Sequence, residues 1–146
     1  MATLFLGEYQ HSIDAKGRLI LPAKIREGLG EKFIATRGFD NCLSVYPMDE
    51  WAIWESKLKQ LPIGNPKARL VVRNILSGAA ELEADKQGRV LIPQNLRDHA
   101  QLDKDVVVIG VSNRVEIWSK AVWDNYSEQM RPGLEQLSDD LADLGI

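Results

Sequence analysis

A thirteen-residue segment occurs twice in this chain. Its first copy reads DAKGRLILPAKIR over residues 14–26, and its second reads DKQGRVLIPQNLR over residues 85–97. Both follow one pattern: Asp-x-x-Gly-Arg, three apolar residues, a proline, and an arginine four residues after the proline. Self-similarity at a fixed spacing indicates one supersecondary unit that is used twice, so an internally duplicated fold is expected.

The similarity continues beyond this segment, where Gly38 aligns with Gly110. We therefore place a first repeat at residues 7–54 and a second repeat at residues 78–126. Each unit alone would leave an open sheet edge and an incomplete core. Both repeats are therefore expected to share a single pseudo-symmetric domain that covers residues 1–146.

Local signals predict the elements of each repeat. In the first, Asp14 and Gly17 favour a tight turn, because aspartate accepts backbone hydrogen bonds and glycine tolerates positive φ. Residues 19–21 are a short apolar strand, and Pro22 suits the first turn of a helix that ends at Leu29. The same signals recur at matching positions of the second repeat.

The rest of each repeat predicts two strands and a closing helix. Asp49 and Ser119 are the expected N-caps of the closing helices, and a further helix is expected over residues 67–76. The strands are expected at residues 33–36, 42–46, 105–109 and 115–118. The fold class is therefore mainly β with helices (α+β): an internally duplicated small β-barrel with flanking helices.

Residues 127–146 predict an acidic helical tail. Four leucines in it alternate spacings of three and four, which is the helical period: Leu134, Leu137, Leu141 and Leu144. The chain has a net charge of −3, which argues at first sight against nucleic acid. Residues 124–146, however, carry six acidic residues and one arginine, so the rest of the chain is slightly basic.

The sequence gives no sign of export or of a membrane anchor. No apolar run approaches the roughly 20 residues that span a bilayer, and the first residues lack a secretory signal. The single cysteine, Cys42, is consistent with a reducing compartment. We expect a cytoplasmic protein with no membrane association.

Residues that carry enzymatic chemistry are missing from the repeated positions. The two histidines, His11 and His99, do not align with each other, and Cys42 aligns with Arg114. The chain has no zinc-binding or phosphate-loop motif. We therefore expect no enzymatic activity, no metal, no cofactor and no small-molecule substrate.

Asp14 and Asp85 could be paired catalytic acids or residues that fix the turns. Each has an arginine four residues later, and an aspartate–arginine contact would hold both the turn and the guanidinium still. We favour the structural role, shared with Gly17 and Gly88.

The basic residues of the segment have two interpretations. Their arginines could serve only as struts of the turns, tied to the aspartates. Their clustering instead favours nucleic acid, because arginine gives bidentate contacts to phosphate or guanine. The candidate DNA-binding residues are Lys16, Arg18, Lys24, Arg26, Lys86, Arg89 and Arg97.

Four segments of this chain resemble the MraZ family. They read FLGE at residues 5–8, DAKGRLILP at 14–22, YPMDEW at 46–51 and DKQGRVLIP at 85–93. The resemblance covers nearly the whole chain and implies a double swapped-hairpin barrel of the AbrB type.

The resemblance also implies a function. It indicates a nucleoid-associated bacterial transcriptional regulator, a ring-forming homo-oligomer that binds double-stranded DNA at short direct repeats upstream of the division and cell-wall gene cluster. It implies DNA contacts for Lys16 and Arg18, and for Lys86 and Arg89. The alternative is an oligomeric adaptor that binds protein, in which the motif arginines are structural and the leucines of the tail dock on a partner.

Overall fold

The computed structural model describes residues 4–145. Every element of the duplicated pattern occurs in both halves. The first half contains β1 (Glu8–Ser12), β2 (Arg18–Ile20), α1 (Ala23–Leu29), β3 (Lys32–Arg37), β4 (Leu43–Pro47), α2 (Met48–Lys59) and α3 (Pro66–Gly78). The second half contains β5 (Ala80–Glu83), β6 (Arg89–Leu91), α4 (Gln94–His99), β7 (Asp105–Gly110), β8 (Val115–Ser119), α5 (Lys120–Met130) and α6 (Leu134–Asp143).

The two halves exchange their first strands. Strand β1 pairs with β7 of the second half, and β5 pairs with β3 of the first half, both antiparallel. The hairpins β3–β4 and β7–β8 join through β4 and β8, which gives a six-stranded sheet in the order β1-β7-β8-β4-β3-β5. This exchange is the swapped arrangement that the family resemblance implies, and the α+β class and the duplication are confirmed.

The sheet does not close into the expected barrel. Its edges are β1 and β5, which do not pair with each other in the described part of the chain. Sharp turns after β1 and β5 direct β2 and β6 onto one another, where they form a separate two-stranded ribbon. The ribbon contacts both sheet edges and covers the opening between them.

One hydrophobic core is shared by both halves. It lies between the inner face of the sheet, the ribbon and the helices α1 and α4. The two halves contribute equivalent side chains, such as Leu19 and Val90 of the ribbon and Ile25 and Leu96 of the two short helices, all with at most 2% exposure. Neither half could complete this core alone.

The outer face of the sheet is covered differently in the two halves. Over β3 and β4, the helices α2 and α3 bury Trp51, Leu58 and Ile75. Over β7 and β8, helix α5 packs its aromatic residues on Trp118. Among the described residues no helix has the length and apolar character needed to cross a membrane.

Some helix ends differ from the expectation. Ser119 caps α5 as predicted, since its hydroxyl accepts a bond from the Val122 amide. Asp49 does not cap α2: the helix begins at Met48, because Pro47 occupies the capping position and fits it with an extended backbone. Helix α3 begins at Pro66, where the Asn65 side chain caps it through bonds from the next two amides.

Candidate nucleic-acid interface

Asp14 organises the turn between β1 and β2. Its carboxylate oxygen Oδ1 accepts bonds from the backbone amides of Lys16 and Arg18, both at 2.9 Å. The other oxygen, Oδ2, accepts a bond from Arg18 Nε at 2.7 Å. Gly17 completes the turn with a φ of +85°, a conformation that side chains disfavour. The turn is therefore built by side chains of the repeated segment itself.

The turn between β5 and β6 has the same geometry. Asp85 Oδ1 accepts bonds from the amides of Gln87 and Arg89 at 2.9 Å, and Oδ2 accepts a bond from Arg89 Nε at 2.8 Å. Gly88 has a φ of +81°. In each ion pair the arginine side chain is 30% exposed and the aspartate 40%. The two turns therefore share the same set of contacts.

Both turns lower the pKa of their aspartates. The backbone amide of Arg18 lowers the pKa of Asp14, with a further contribution from the Arg18 side chain. The pKa of Asp85 is lowered in the same way by the amide and then the side chain of Arg89. A lowered pKa favours the charged carboxylate, which holds the adjacent guanidinium through a hydrogen bond to Nε.

Each arginine is held at one atom only. Arg18 and Arg89 donate to their aspartates through Nε. Their terminal Nη1 and Nη2 groups make no hydrogen bond with any residue between 4 and 145. Those two groups form the fork that binds guanine or phosphate, so each arginine is oriented while its recognition end stays available.

The ribbon joins the two turns into one surface. In the β2–β6 pairing, Arg18 lies opposite Leu91 and Ile20 lies opposite Arg89. The intervening residue Leu19 points into the core and is fully buried. Both arginines therefore stand on the same outward face of one short antiparallel ribbon.

Arg26 and Arg97 reach across to the opposite repeat. A Cβ atom on Gly17 would lie 2.6 Å from Cζ of Arg97, and one on Gly88 would lie 2.6 Å from Nη1 of Arg26. Each guanidinium thus packs against the glycine of the other repeat's turn, and both glycines are buried. The structure places these two arginines behind the turns, in partly buried positions.

The structure separates the three candidate lysines. Lys16 lies in the first turn, Lys86 in the second, and Lys24 on helix α1; all are exposed. None forms an ion pair with a residue that the structure describes. Lys86 aligns with Ala15, whereas Gln87 occupies the position equivalent to Lys16, so the two turns present their lysines at different places.

A family model and several relatives match this chain. A family model described as "MraZ protein, putative antitoxin-like" matches the chain twice, at residues 4–74 and 75–144. The chain is 59% identical over 143 residues to the transcriptional regulator MraZ of Desulfitobacterium hafniense (strain DSM 10664 / DCB-2). The aligned region covers 98% of this chain and 100% of that protein. The chain is 56% identical to the protein of the same name from Natranaerobius thermophilus, with the same coverage.

The chain belongs to the MraZ family.

Membership of a family of transcriptional regulators decides between the broad classes of function. This chain is a transcriptional regulator and not an enzyme. The double match of the MraZ model also agrees with the duplication that is visible in the sequence. Within residues 4–145, no group of three metal-binding side chains comes together.

Two features of the site were missed by sequence reasoning. One is the cross-packing of Arg26 and Arg97 on glycines of the opposite repeat. Its signal was present, because arginine and glycine recur at matching positions, but the partner is visible only after the repeats are paired. The other is the pair of exposed aliphatic side chains between the ribbon arginines, Ile20 and Leu91.

Proposed function

We propose that this MraZ-family regulator binds double-stranded DNA sequence-specifically through the outward face of the β2–β6 ribbon and its two turns. Its target is the promoter of the division and cell-wall gene cluster, where it recognises short direct repeats. It acts in the cytoplasm, at the nucleoid.

The orientation of Arg18 and Arg89 carries this proposal. Each guanidinium is fixed at Nε by an aspartate and keeps both terminal nitrogens free of partners within the described chain. A purely structural arginine would be expected to use its terminal nitrogens, as Arg114 does when Nη1 and Nη2 donate to neighbouring side chains. A fixed fork on an exposed ribbon is the geometry that bidentate contact with guanine requires.

The lysines add contacts that do not depend on sequence. Lys16 and Lys86 lie in the exposed turns at the two ends of the ribbon, where they can bind the phosphates that flank a recognised site. Lys24 extends this basic surface along α1. Arg26 and Arg97 contribute by holding the turns in place, because their guanidinium groups pack on the turn glycines.

We further propose that copies of the chain assemble head-to-tail into a ring through two unlike surfaces. The first is the leucine seam of α6, whose residues Leu134, Leu137 and Leu141 are between 41% and 57% exposed. Acidic side chains flank the seam at Glu135, Asp139, Asp140 and Asp143. Helix α6 packs within its own chain mainly on the short turn that precedes it.

The second surface is an apolar groove between α2 and α3. Its cavity has a volume of about 370 Å³, and Leu58, Leu61, Ile63 and Val72 line it. Three basic side chains lie at its rim: Lys59, Arg69 and Arg73. An acidic helix with a leucine seam complements a basic-rimmed apolar groove, so we assign α6 of a second copy as the occupant.

Two different surfaces that complement each other make a heterologous contact, which closes into a ring when the rotation allows it. A ring presents several ribbons on one assembly. One ribbon binds one DNA repeat weakly. Once it is bound, the other ribbons of the ring are held at a high effective concentration near the neighbouring repeats, so the affinity of the whole ring is much higher.

An electrophoretic mobility assay tests DNA binding. The probe is the duplex upstream of the chain's own gene, compared with a scrambled duplex of the same composition over a range of salt concentrations. We expect a sequence-specific complex that weakens steeply with salt, because phosphate contacts release counterions. The double variant Arg18→Ala/Arg89→Ala should lose this complex, while the exposed Arg131→Ala should keep it.

The adaptor alternative gives the opposite outcome. If the double variant folds, assembles and still binds the promoter duplex as the unmodified chain does, the ribbon is not the DNA-binding surface. If the unmodified chain does not discriminate between the two duplexes, the proposed function is wrong.

Light scattering after size exclusion tests the assembly. Leu137→Asp places a charge in the seam and should reduce the mass of the assembly to that of smaller species. Gln136→Asp adds the same charge away from the seam and should leave the mass unchanged. An unaltered mass for Leu137→Asp would show that α6 is not the contact.

A further inference from the structure

Two aliphatic side chains lie exposed at the centre of the proposed DNA surface. Ile20 is 50% exposed and Leu91 is 56% exposed. Their neighbours along the strands, Leu19 and Val90, fill the core and are at most 1% exposed. The ribbon therefore has a buried apolar face and a second, outward face that the core does not require to be apolar.

The pairing register places each aliphatic residue beside an arginine. Ile20 is directly opposite Arg89, and Leu91 is directly opposite Arg18. Directly opposite residues of an antiparallel pair have Cβ atoms about 4.5–5.5 Å apart. The outward face is thus a square of four side chains, with the arginines on one diagonal and the aliphatic residues on the other.

This mixture of charge and apolar surface fits one feature of DNA. A two-stranded ribbon can enter the major groove, whose width is about 12 Å. Each base pair shows a distinct pattern of donors and acceptors there, and thymine adds an apolar group, the C5 methyl. A side chain beside an arginine that contacts guanine would lie over a neighbouring base pair.

We propose that Ile20 and Leu91 read thymine methyl groups next to the guanines that Arg89 and Arg18 contact. This inference rests on the proposed DNA-binding function and adds specificity-determining residues to it. Each arginine and the aliphatic residue opposite it on the ribbon would then recognise a guanine and a neighbouring thymine.

The charge of the surface argues against a second copy of this chain as the occupant. Ribbon-to-ribbon packing would bring Arg18 and Arg89 of one copy against the same arginines of the other. Lys16 and Lys86 in the adjoining turns would add to the repulsion. A polyanion with exposed methyl groups satisfies both the cationic and the apolar residues of this face.

Replacement of thymine by uracil removes only the C5 methyl groups and tests the proposal. The promoter duplex is prepared by amplification with either thymidine or deoxyuridine triphosphate, and the affinity of the assembled protein is measured for both. Burial of one methyl group contributes about fourfold in affinity. We expect the unmodified chain to bind the uracil duplex more weakly, by about fourfold or more.

The variant Ile20→Ala/Leu91→Ala should bind both duplexes equally, near the affinity of the unmodified chain for uracil DNA. The variant also controls for an effect of uracil on DNA shape, because such an effect would remain in it as a difference between the two duplexes. Leu70→Ala, which truncates an even more exposed leucine on α3 (68%), is the control and should keep the preference for thymine.

Four outcomes overturn the proposal. Equal binding of both duplexes by the unmodified chain excludes methyl recognition and leaves the proposed function intact. A thymine preference retained by Ile20→Ala/Leu91→Ala assigns it to other residues. A changed assembly mass in that variant makes the patch a contact between copies. Failure of the unmodified chain to bind even the thymine duplex refutes the proposed function itself.

Discussion

The two turns have the same geometry but carry different charges. In both, the aspartate accepts two amides and one arginine Nε, and corresponding distances agree within 0.1 Å. The first turn presents lysine at the residue before the glycine, at Lys16. The second has Gln87 there and carries its lysine one position earlier, at Lys86.

This difference separates what the fold requires from what the function adjusts. The aspartate, glycine and arginine make the contacts that define the turn, so both repeats keep them. The lysine side chains make no ion pair with described residues, so the fold tolerates their displacement. We infer that both turns read bases with arginine and that the first contributes more to phosphate binding.

The largest expected effect comes from removing one arginine at a time. Arg18→Ala and Arg89→Ala should each weaken binding to the promoter duplex by roughly 10–100-fold, the value of one bidentate base contact. The loss should be at least as large for Arg18, which acts beside Lys16. Fluorescence anisotropy at fixed salt measures both, and an unaffected Arg89→Ala would show that only one turn contacts DNA.

A methyl group on either turn glycine should destabilise the fold equally. In Gly17→Ala and Gly88→Ala the alanine must adopt the left-handed backbone of the glycine, at a cost of about 1–2 kcal/mol. Its methyl group must also displace an arginine of the opposite repeat. Urea unfolding measures the change in the free energy of unfolding.

The control for this prediction is a double-mutant cycle. In an Arg97→Ala background, Gly17→Ala should cost less than in the unmodified chain, because the guanidinium that the methyl group displaces is gone. Equal costs in both backgrounds would contradict the proposed packing of Arg97 on the first turn.

Transplanting the lysine should make the two turns alike. Affinity falls as salt rises, and Lys16→Gln should make this dependence shallower, reducing the magnitude of the slope of log affinity against log salt by about 1 for each first turn that contacts DNA. Gln87→Lys should make the dependence steeper by a similar amount. Binding measured between low and moderate salt gives both slopes. If Gln87→Lys leaves the slope unchanged, the second turn does not approach the phosphate backbone.

The smallest expected effect concerns the acidity of the two aspartates. The pKa of Asp14 and that of Asp85 should both lie below the ordinary value of 3.8, by similar amounts. Because the folded-state pKa is lowered, each carboxylate stabilises the fold above pH 3.8, and that contribution is lost as the pH falls through the folded-state pKa.

Carbon NMR of the carboxyl groups measures these pKa values directly. Arg18→Ala should raise the pKa of Asp14 only in part, since the largest cause is the backbone amide of residue 18, which the variant keeps. A return to 3.8 would show that the side chain, not the amide, holds the carboxylate.

Local features of this fold could be predicted from the sequence, whereas pairings between distant segments could not. The Asp14 and Asp85 turns, the short helices after the prolines and the Ser119 cap follow from interactions within a few residues. The exchange of β1 and β5 depends on partners about 100 and 50 residues away. The resemblance to a known family supplied that exchange.

The candidate site also combines features that the sequence predicts locally with features that depend on distant residues. Arg18 and Arg89 were predicted to bind DNA because basic residues cluster around them in both copies of the repeated segment. Arg26 and Arg97 were also predicted to bind DNA, but their packing on glycines of the other repeat could not be seen from the sequence. Closure of the barrel was expected from the need to cover the sheet edges, but β2 and β6 form a separate two-stranded ribbon that contacts both edges.

We propose above all that two arginine forks on one ribbon, each held by an aspartate, read the DNA sequence. Arg18→Lys/Arg89→Lys tests it most directly, because lysine keeps the charge and loses the planar fork. We predict that this variant binds scrambled DNA with unchanged affinity while its preference for the promoter duplex falls at least tenfold. An undiminished preference in the folded, assembled variant would contradict the account.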